Sequence, residues 1–260
     1  MAGTVAAVGS RVTRFACGDR VMALVGGGGQ ATLAVVDEAH ALPVPPDLPW
    51  PDAGGFMEAF ATAFDALFLQ ASLAVGERVL VTGAAGGVGS AAVQLAAVAG
   101  AHVVAVVRDL SLHAAVATLG AAHVIEPAGI ASAGPYDVVL ELVGAPTLSD
   151  ALRGLATTGR VVVIGVGGGP ELTVDLRRLM ARRARLFAST LRARRADEKA
   201  ALIETMRSRL LPLLASGRVR VPVTDMLPLE QAAAAYERFA MRGKFGKIVL
   251  TNRSPDAAGD

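Results

Sequence analysis

Short runs of nearly continuous apolar residues, separated by stretches with helical spacing, dominate residues 55–221 of the chain. Strands are predicted at 79–82, 102–107, 123–125, 137–142, 160–164 and 185–189. Runs of this kind, apolar on both faces, belong in a parallel sheet covered on both sides. Helical patterns are predicted at 59–70, 90–101, 111–119, 146–155 and 171–182. A long amphipathic helix is predicted over 197–216, kinked by Pro212 and stopped by Gly217. Residues 1–50 read differently, with short strands at 5–8, 21–24 and around 33–36, a Gly18-Asp19 turn and a glycine loop at 26–29. Pro43, Pro45, Pro46, Pro49 and Pro51 then mark an extended connector. Beyond Val219 come an extended stretch, a helix at 228–241, the run FGKIVL at 245–250 and a final ten residues expected to fray.

One unit within this pattern carries chemistry. Residues 79–89 read VLVTGAAGGVG, a helical pattern follows, and 102–109 read HVVAVVRD. The order is strand, glycine-rich turn, crossover helix, parallel strand. Such a turn brings backbone N–H groups and a helix N-terminus onto a pyrophosphate. Ala84 stands where the first glycine of the usual fingerprint stands. Gly86 lets backbone approach the pyrophosphate, with Gly87 and Val88 beside it, and Gly89 lets the helix pack closely. The second strand ends in Val107, followed by Arg108 rather than by the carboxylate that accepts from a ribose 2′-OH. Arg108 can pair with a 2′-phosphate, so NADPH is the expected cofactor, with NADH as the alternative because Asp109 follows directly.

Composition narrows the class. The chain has 260 residues, 53% of them hydrophobic, enough for a substantial core in one or two domains. No apolar run approaches the roughly 20 residues of a membrane span. The N-terminus lacks the charged and apolar regions of a secretory signal. Cys17 is the single cysteine, which excludes an internal disulfide or a cysteine-rich zinc site and fits a cytoplasmic protein. His40, His102, His113 and His123 form no ligand-spaced pair, so no metal is expected. The net charge of +2 does not imply a nucleic-acid partner. The arginines between 177 and 195 read as a solvated helix face or a subunit interface, with an anionic ligand, the cofactor phosphate or nucleic acid, as the alternative.

Further motifs give a resemblance. Gly18-Asp-Arg-Val21, Gly27-Gly-Gly-Gln-Ala31, Thr62-Ala63, Ala84-x-Gly86-x-x-Gly89, the run 137–144 (DVVLELVG), 159–165 (GRVVVIG) and 246–250 (GKIVL) resemble the medium-chain dehydrogenase/reductase superfamily. With 189–194 (STLRAR), the chain resembles its zinc-independent NADPH:quinone oxidoreductases, most of all the subgroup around the tumour-suppressor-inducible quinone reductase. The resemblance implies a doubly wound Rossmann sheet over 63–221. It also implies a partial GroES-like, β-rich catalytic domain over 1–62, completed by 222–260. Such relatives begin with a longer β-rich segment, so the chain is expected to start inside that domain, short of one wall of the substrate cleft.

The same resemblance implies site residues. Thr62 is expected beside the nicotinamide, Val143 and Gly144 along the ribose and nicotinamide channel, Gly165 and Leu191 near the ring, and Lys244 on the C-terminal side. Quinone reduction asks for little beyond placing the nicotinamide against the acceptor, so no catalytic residue is assigned. Leu33, Leu112 and Glu126-Pro127 replace a tyrosine, a lysine and an Asn-Tyr pair of relatives, which leaves Arg108 with more of the 2′-phosphate. Glu58 is a candidate proton relay. The implied activity is hydride transfer to a quinone or related enone, in a homodimer joined through the strand at 185–189. Enoyl-thioester reduction is an alternative, although Tyr136 and Tyr236 both fall outside the expected cleft. A non-catalytic NADPH-binding or oligomerisation module is another.

Overall fold

The computed structural model describes residues 1–241 and 243–252. In chain order the first elements are β1 (Ala2–Thr4), β2 (Arg20–Ala23), β3 (Ala41–Pro43) and α1 (Trp50–Phe64), which continues as a π-helical segment, Asp65–Gln70. Then come β4 (Arg78–Val81), α2 (Gly87–Val98), β5 (His102–Val106), α3 (His113–Ala117), β6 (His123–Ile125), β7 (Tyr136–Glu141) and α4 (Ala145–Arg153). The remainder is β8 (Leu155–Val163), α5 (Leu176–Arg182), β9 (Arg185–Ala188), α6 (Ala196–Arg209), α7 (Leu211–Ala215), β10 (Val223–Pro228), α8 (Ala232–Ala240) and β11 (Lys247–Thr251). Two compact units result, Met1–Ala61 with the chain from Arg194 onward, and Thr62–Ala193.

The second unit is the expected doubly wound α/β fold. Its six strands are all parallel and lie in the order β6-β5-β4-β7-β8-β9. The strands form where the apolar runs predicted them, because their residues are covered on both faces: Val79, Leu80, Val104, Val139 and Val161 are fully buried. Ile130 and Tyr136 join this core, and the Tyr136 hydroxyl donates to the Ile130 carbonyl at 2.6 Å. The strand order reverses between β4 and β7. That is where open α/β sheets bind ligands, outside the carboxyl ends of the strands.

Several predicted boundaries move, each for a local reason. The helix expected from 171 starts only at Leu176, because the Asp175 carboxylate caps it by accepting from the Arg177 N–H at 3.0 Å. The helix expected from 111 is shorter, a tight turn capped by Asp109 and then α3 alone. β8 begins at Leu155 rather than 160; its path bends at Thr158, whose φ is 62°, before it pairs with β7 again from Arg160.

The first unit holds a three-stranded antiparallel sheet in the order β1-β2-β3, a parallel pair β10-β11, and helices. The Arg20 guanidinium stacks on Trp50, 4.4 Å from the ring centroid, and donates to the carbonyls of Pro46 and Leu48, which fixes the proline-rich connector. Pro51 does not extend that connector. It sits in the first turn of α1, where its missing N–H costs nothing. The strands expected at 5–8 and 33–36 do not form; Val35 is 100% exposed, and the sheet begins instead at Ala2. Residues 194–221, expected beside the nucleotide-binding sheet, group with the first unit. Leu202, Ile203 and Met206 bury there, and Arg207 donates to the Ala41 carbonyl at 3.0 Å. The long helix predicted over 197–216 breaks at Leu210, one residue ahead of α7 with Pro212 in its first turn. Asn252 donates to the Ala31 carbonyl, and β11 runs to Thr251, so the expected frayed tail starts later; from 253 it lies outside the described residues.

Candidate functional site

Parallel strands put all their carboxyl ends on one edge of the sheet, and most of the expected site residues of the second unit follow such an end. Ala84, Gly86, Gly87 and Val88 follow β4, Arg108 follows β5, Val143 and Gly144 follow β7, Gly165 follows β8 and Leu191 follows β9. Thr62 stands apart, buried on α1. Lys244 lies in the first unit, where its ammonium sits over the Phe239 ring and donates to the Phe239 carbonyl.

The glycine turn is built tightly. Gly83 takes φ 58°, and its carbonyl accepts from the Gly86 N–H at 3.0 Å. A Cβ on Gly89 would overlap that carbonyl oxygen and crowd the Ala84 backbone at 2.7 Å. Gly89 therefore brings the helix start onto the turn itself. Ala84 is fully buried, and its N–H donates to the Val106 carbonyl at 3.1 Å, tying the turn to β5.

This turn opens α2, whose first-turn N–H groups have no intrahelical acceptor. The N-cap is Gly86, with no side-chain cap, and the first turn carries no acid. The positive end of a twelve-residue helix is thus left to an external anion. Gly86, Gly87 and Val88 are only half-buried, so their backbone is reachable. These features fit a dinucleotide's pyrophosphate.

At the end of β5, Arg108 is exposed. The Asp109 carboxylate is already engaged, accepting from the Ser111 hydroxyl at 2.6 Å and its N–H at 3.0 Å, which holds its pKa below the usual range. His113 stands beside them with Nε2 3.0 Å from the Val107 carbonyl. Arg108 is thus exposed next to a carboxylate that Ser111 already engages.

The turn after β7 depends on a residue that the sequence reading passed over. Glu141 is 0% exposed. Its Oε1 accepts from the Thr82 hydroxyl (2.7 Å), the Thr147 hydroxyl (2.8 Å), the Val143 N–H (2.7 Å) and the Gly144 N–H (2.9 Å). Its Oε2 has no hydrogen-bond partner among the described residues. The Thr82 hydroxyl in turn accepts from the Leu142 N–H at 2.8 Å. An acid within an apolar run, followed by Leu-Val-Gly, was the available signal, hidden because a strand-end acid is usually solvated.

Gly144 and Gly165 prove to be packing positions. Gly144 is buried with φ 109°, and a Cβ there would meet the Gly169 carbonyl oxygen at 2.5 Å. A Cβ on Gly165 would meet the Leu142 carbonyl oxygen at 2.5 Å. Val143 remains half-buried, and Leu191 is buried three residues beyond β9. Near the π-helical segment the Ser189 hydroxyl donates to the buried Asp65 carboxylate at 3.3 Å.

Glu58 is exposed in the first unit; burial holds the Lys247 pKa below its ordinary value, and the Glu58 charge only partly opposes this. Tyr236 donates to the Gln30 side chain, and Tyr136 is committed to Ile130. Among the described residues no three His, Cys, Asp or Glu side chains gather as metal ligands, and no helix is long and apolar enough to cross a membrane.

Comparison with known proteins now has a geometry to rest on. A zinc-binding dehydrogenase family model matches residues 87–208, and an alcohol dehydrogenase GroES-like domain model matches residues 1–46. The spectinabilin polyketide synthase system protein NorB of Streptomyces orinoci is 36% identical over 96% of this chain, which spans only 12% of that protein's length. The quinone oxidoreductase of Rattus norvegicus is 31% identical over 96% of this chain and 78% of its own. Among solved structures, mycobacterial Rv1454c complexed with NADPH superposes with a TM-score of 0.86 at 26% identity, covering 96% of this chain and 80% of that one.

Proposed function

The chain belongs to the medium-chain dehydrogenase/reductase superfamily, with quinone oxidoreductases among its relatives, and from that premise we propose that it is an NADPH-dependent reductase of quinones or related conjugated carbonyls. The observation that carries the proposal is the pairing, across the reversal of strand order, of an uncapped helix start at Gly86–Gly87 with the buttressed turn at Val143–Gly144. NADPH, when bound, supplies the hydride from its nicotinamide ring. The chain's part is to hold it: backbone N–H groups of Gly86, Gly87 and Val88 on the pyrophosphate, Arg108 on the 2′-phosphate, and Val143, Leu191 and Thr62 toward the nicotinamide, while Gly165 lets the end of β8 pack against Leu142. Gly144 contributes by letting the turn pack against Val166 and Gly169 rather than by contact. The acceptor gains the hydride and takes a proton from solvent.

Engagement of Asp109 with Ser111 favours NADPH over NADH, because that carboxylate is not directed at a ribose hydroxyl. A homodimer joined edge to edge through β9 belongs to the same proposal. β9 ends the sheet, Leu186 is 49% exposed on it, and Leu176 and Met180 are exposed on the neighbouring α5. The proposed location is the cytoplasm.

The test is NADPH consumption with 1,4-benzoquinone or 9,10-phenanthrenequinone, beside binding titrations of NADPH and NADH. Turnover supports the reading; tight NADPH binding without turnover leaves a binding module; no nucleotide binding overturns it. The identity to a polyketide synthase protein favours a second reading, reduction of an enoyl thioester. Both acceptors are conjugated carbonyls, so one site serves either chemistry. A crotonyl thioester of N-acetylcysteamine in the same assay separates them by relative kcat/KM.

A further inference from the structure

A carboxylate buried without a cation is costly unless hydrogen-bond donors compensate it. Among the described residues no lysine or arginine pairs with Glu141; neutral donors alone hold it. Those donors come from three elements. Thr82 directly follows β4 and immediately precedes Gly83 of the pyrophosphate turn. Val143 and Gly144 form the turn after β7. Thr147 lies in the first turn of α4. The carboxylate gathers them on a single oxygen, and Thr82 closes the link by accepting from Leu142. On its far side the β7 turn is clamped again, because the Gly168 N–H donates to the Val143 carbonyl at 2.8 Å and the Ala145 N–H to the Gly169 carbonyl at 3.0 Å.

We propose that Glu141 is a positioning residue that sets the β7 turn against the glycine turn and so aligns the nicotinamide half of the cofactor relative to its adenine half. The inference rests on the cofactor reading above. Thr82 fixes one end of the gauge, the turn that meets the pyrophosphate. Val143 and Gly144 are the other end, and their N–H groups are drawn inward by the carboxylate. Removing the charge loosens the second end while leaving the adenine end, built from Gly83 to Gly89 and Arg108, intact.

The experiment compares wild type, Glu141→Gln and Thr147→Val for two ligands, NADPH and adenosine 2′,5′-bisphosphate, which lacks the nicotinamide half. Dissociation constants come from calorimetry, nicotinamide fluorescence reports the ring's surroundings, and thermal melting reports the fold. Glu141→Gln keeps an acceptor oxygen but not the charge, and Thr147→Val removes one donor. The expected result is unchanged bisphosphate affinity with NADPH binding weakened about tenfold in Glu141→Gln, altered nicotinamide emission, and a smaller change of the same kind in Thr147→Val. Equal losses for both ligands, or no loss for either, overturn the inference. If Glu141→Gln does not fold, Thr147→Val decides by the same comparison. Wild type that binds neither ligand overturns the cofactor reading itself, an outcome separate from variants that lose both.

Discussion

Arg160 on β8 lays its guanidinium along the carboxylate of Glu77, with Nη1 2.6 Å from Oε1 and Nη2 2.7 Å from Oε2. Both side chains are largely shielded, 14% and 22% exposed. Arg160 also donates to the carbonyl of Ala71 at 2.8 Å, and Glu77 accepts from the Ala74 N–H at 2.9 Å. The pair thus fastens the loop before β4 to a strand two places across the sheet. The Arg160 hydrogen bond holds the Glu77 pKa below its ordinary value.

Because the folded pKa is depressed, the contribution of Glu77 is full above the ordinary glutamate range and lost as pH falls through the folded value. Glu77→Gln is expected to cost about 2–3 kcal/mol at pH 7, through the weakened bidentate pair. Urea unfolding of wild type and variant at pH 7 and again near pH 3 checks this. The difference should shrink at the acid end, and a difference that is the same at both pH values would mean the charge is not responsible.

Arg108→Ala is expected to raise the NADPH dissociation constant about 10- to 100-fold, the worth of a charge-assisted hydrogen bond, with little effect on NADH. Fluorescence titration of both nucleotides measures it. A loss shared equally between them would move the 2′-phosphate away from the end of β5.

Gly89→Ala places a Cβ against the Gly83 carbonyl oxygen and the Ala84 backbone. Neither neighbour is the tip of a flexible side chain, so the turn itself must shift. The expected outcome is about 1–3 kcal/mol of lost stability, with NADPH affinity reduced as well. A variant with wild-type melting temperature and wild-type affinity would show that the turn tolerates repacking.

Leu186→Asp puts a charge on the open edge of β9. If that edge joins two copies, sedimentation equilibrium should report a dimer for wild type and a monomer for the variant, with the circular dichroism spectrum unchanged. A variant that remains dimeric places the subunit contact elsewhere.

The sheet was legible because burial on both faces leaves an unmistakable mark. Runs such as 102–107 and 137–142 admit few polar residues, and β6 matched its prediction end to end at His123–Ile125. The glycine turn was legible because its spacing carries steric content. Helix starts were not, since caps decide them: Asp175 delays α5, and Pro51 reads as a connector until it is seen in the first turn of α1. Residues 33–36 carry the apolar character of a strand, yet Val35 lies wholly in solvent, so pattern alone misled there. Around the candidate site, Gly86 and Gly89 stood out in the sequence because a tight strand-to-helix turn leaves a spacing of glycines. Glu141 did not, because its role comes from Thr82 and Thr147, which are distant from each other in sequence and meet only in the folded sheet.

The central place of β4 and β7 has a consequence for hydrogen exchange. Each of these strands is flanked by a neighbour on both sides, and Val79, Leu80, Val138 and Val139 have no solvent exposure. Their amides cannot meet deuterium by fraying at an edge; they exchange only when the whole α/β unit opens. A handful of protected amides in the middle of the sheet therefore reads out the global unfolding free energy of that unit, while β6 and β9 at its margins exchange by smaller local openings.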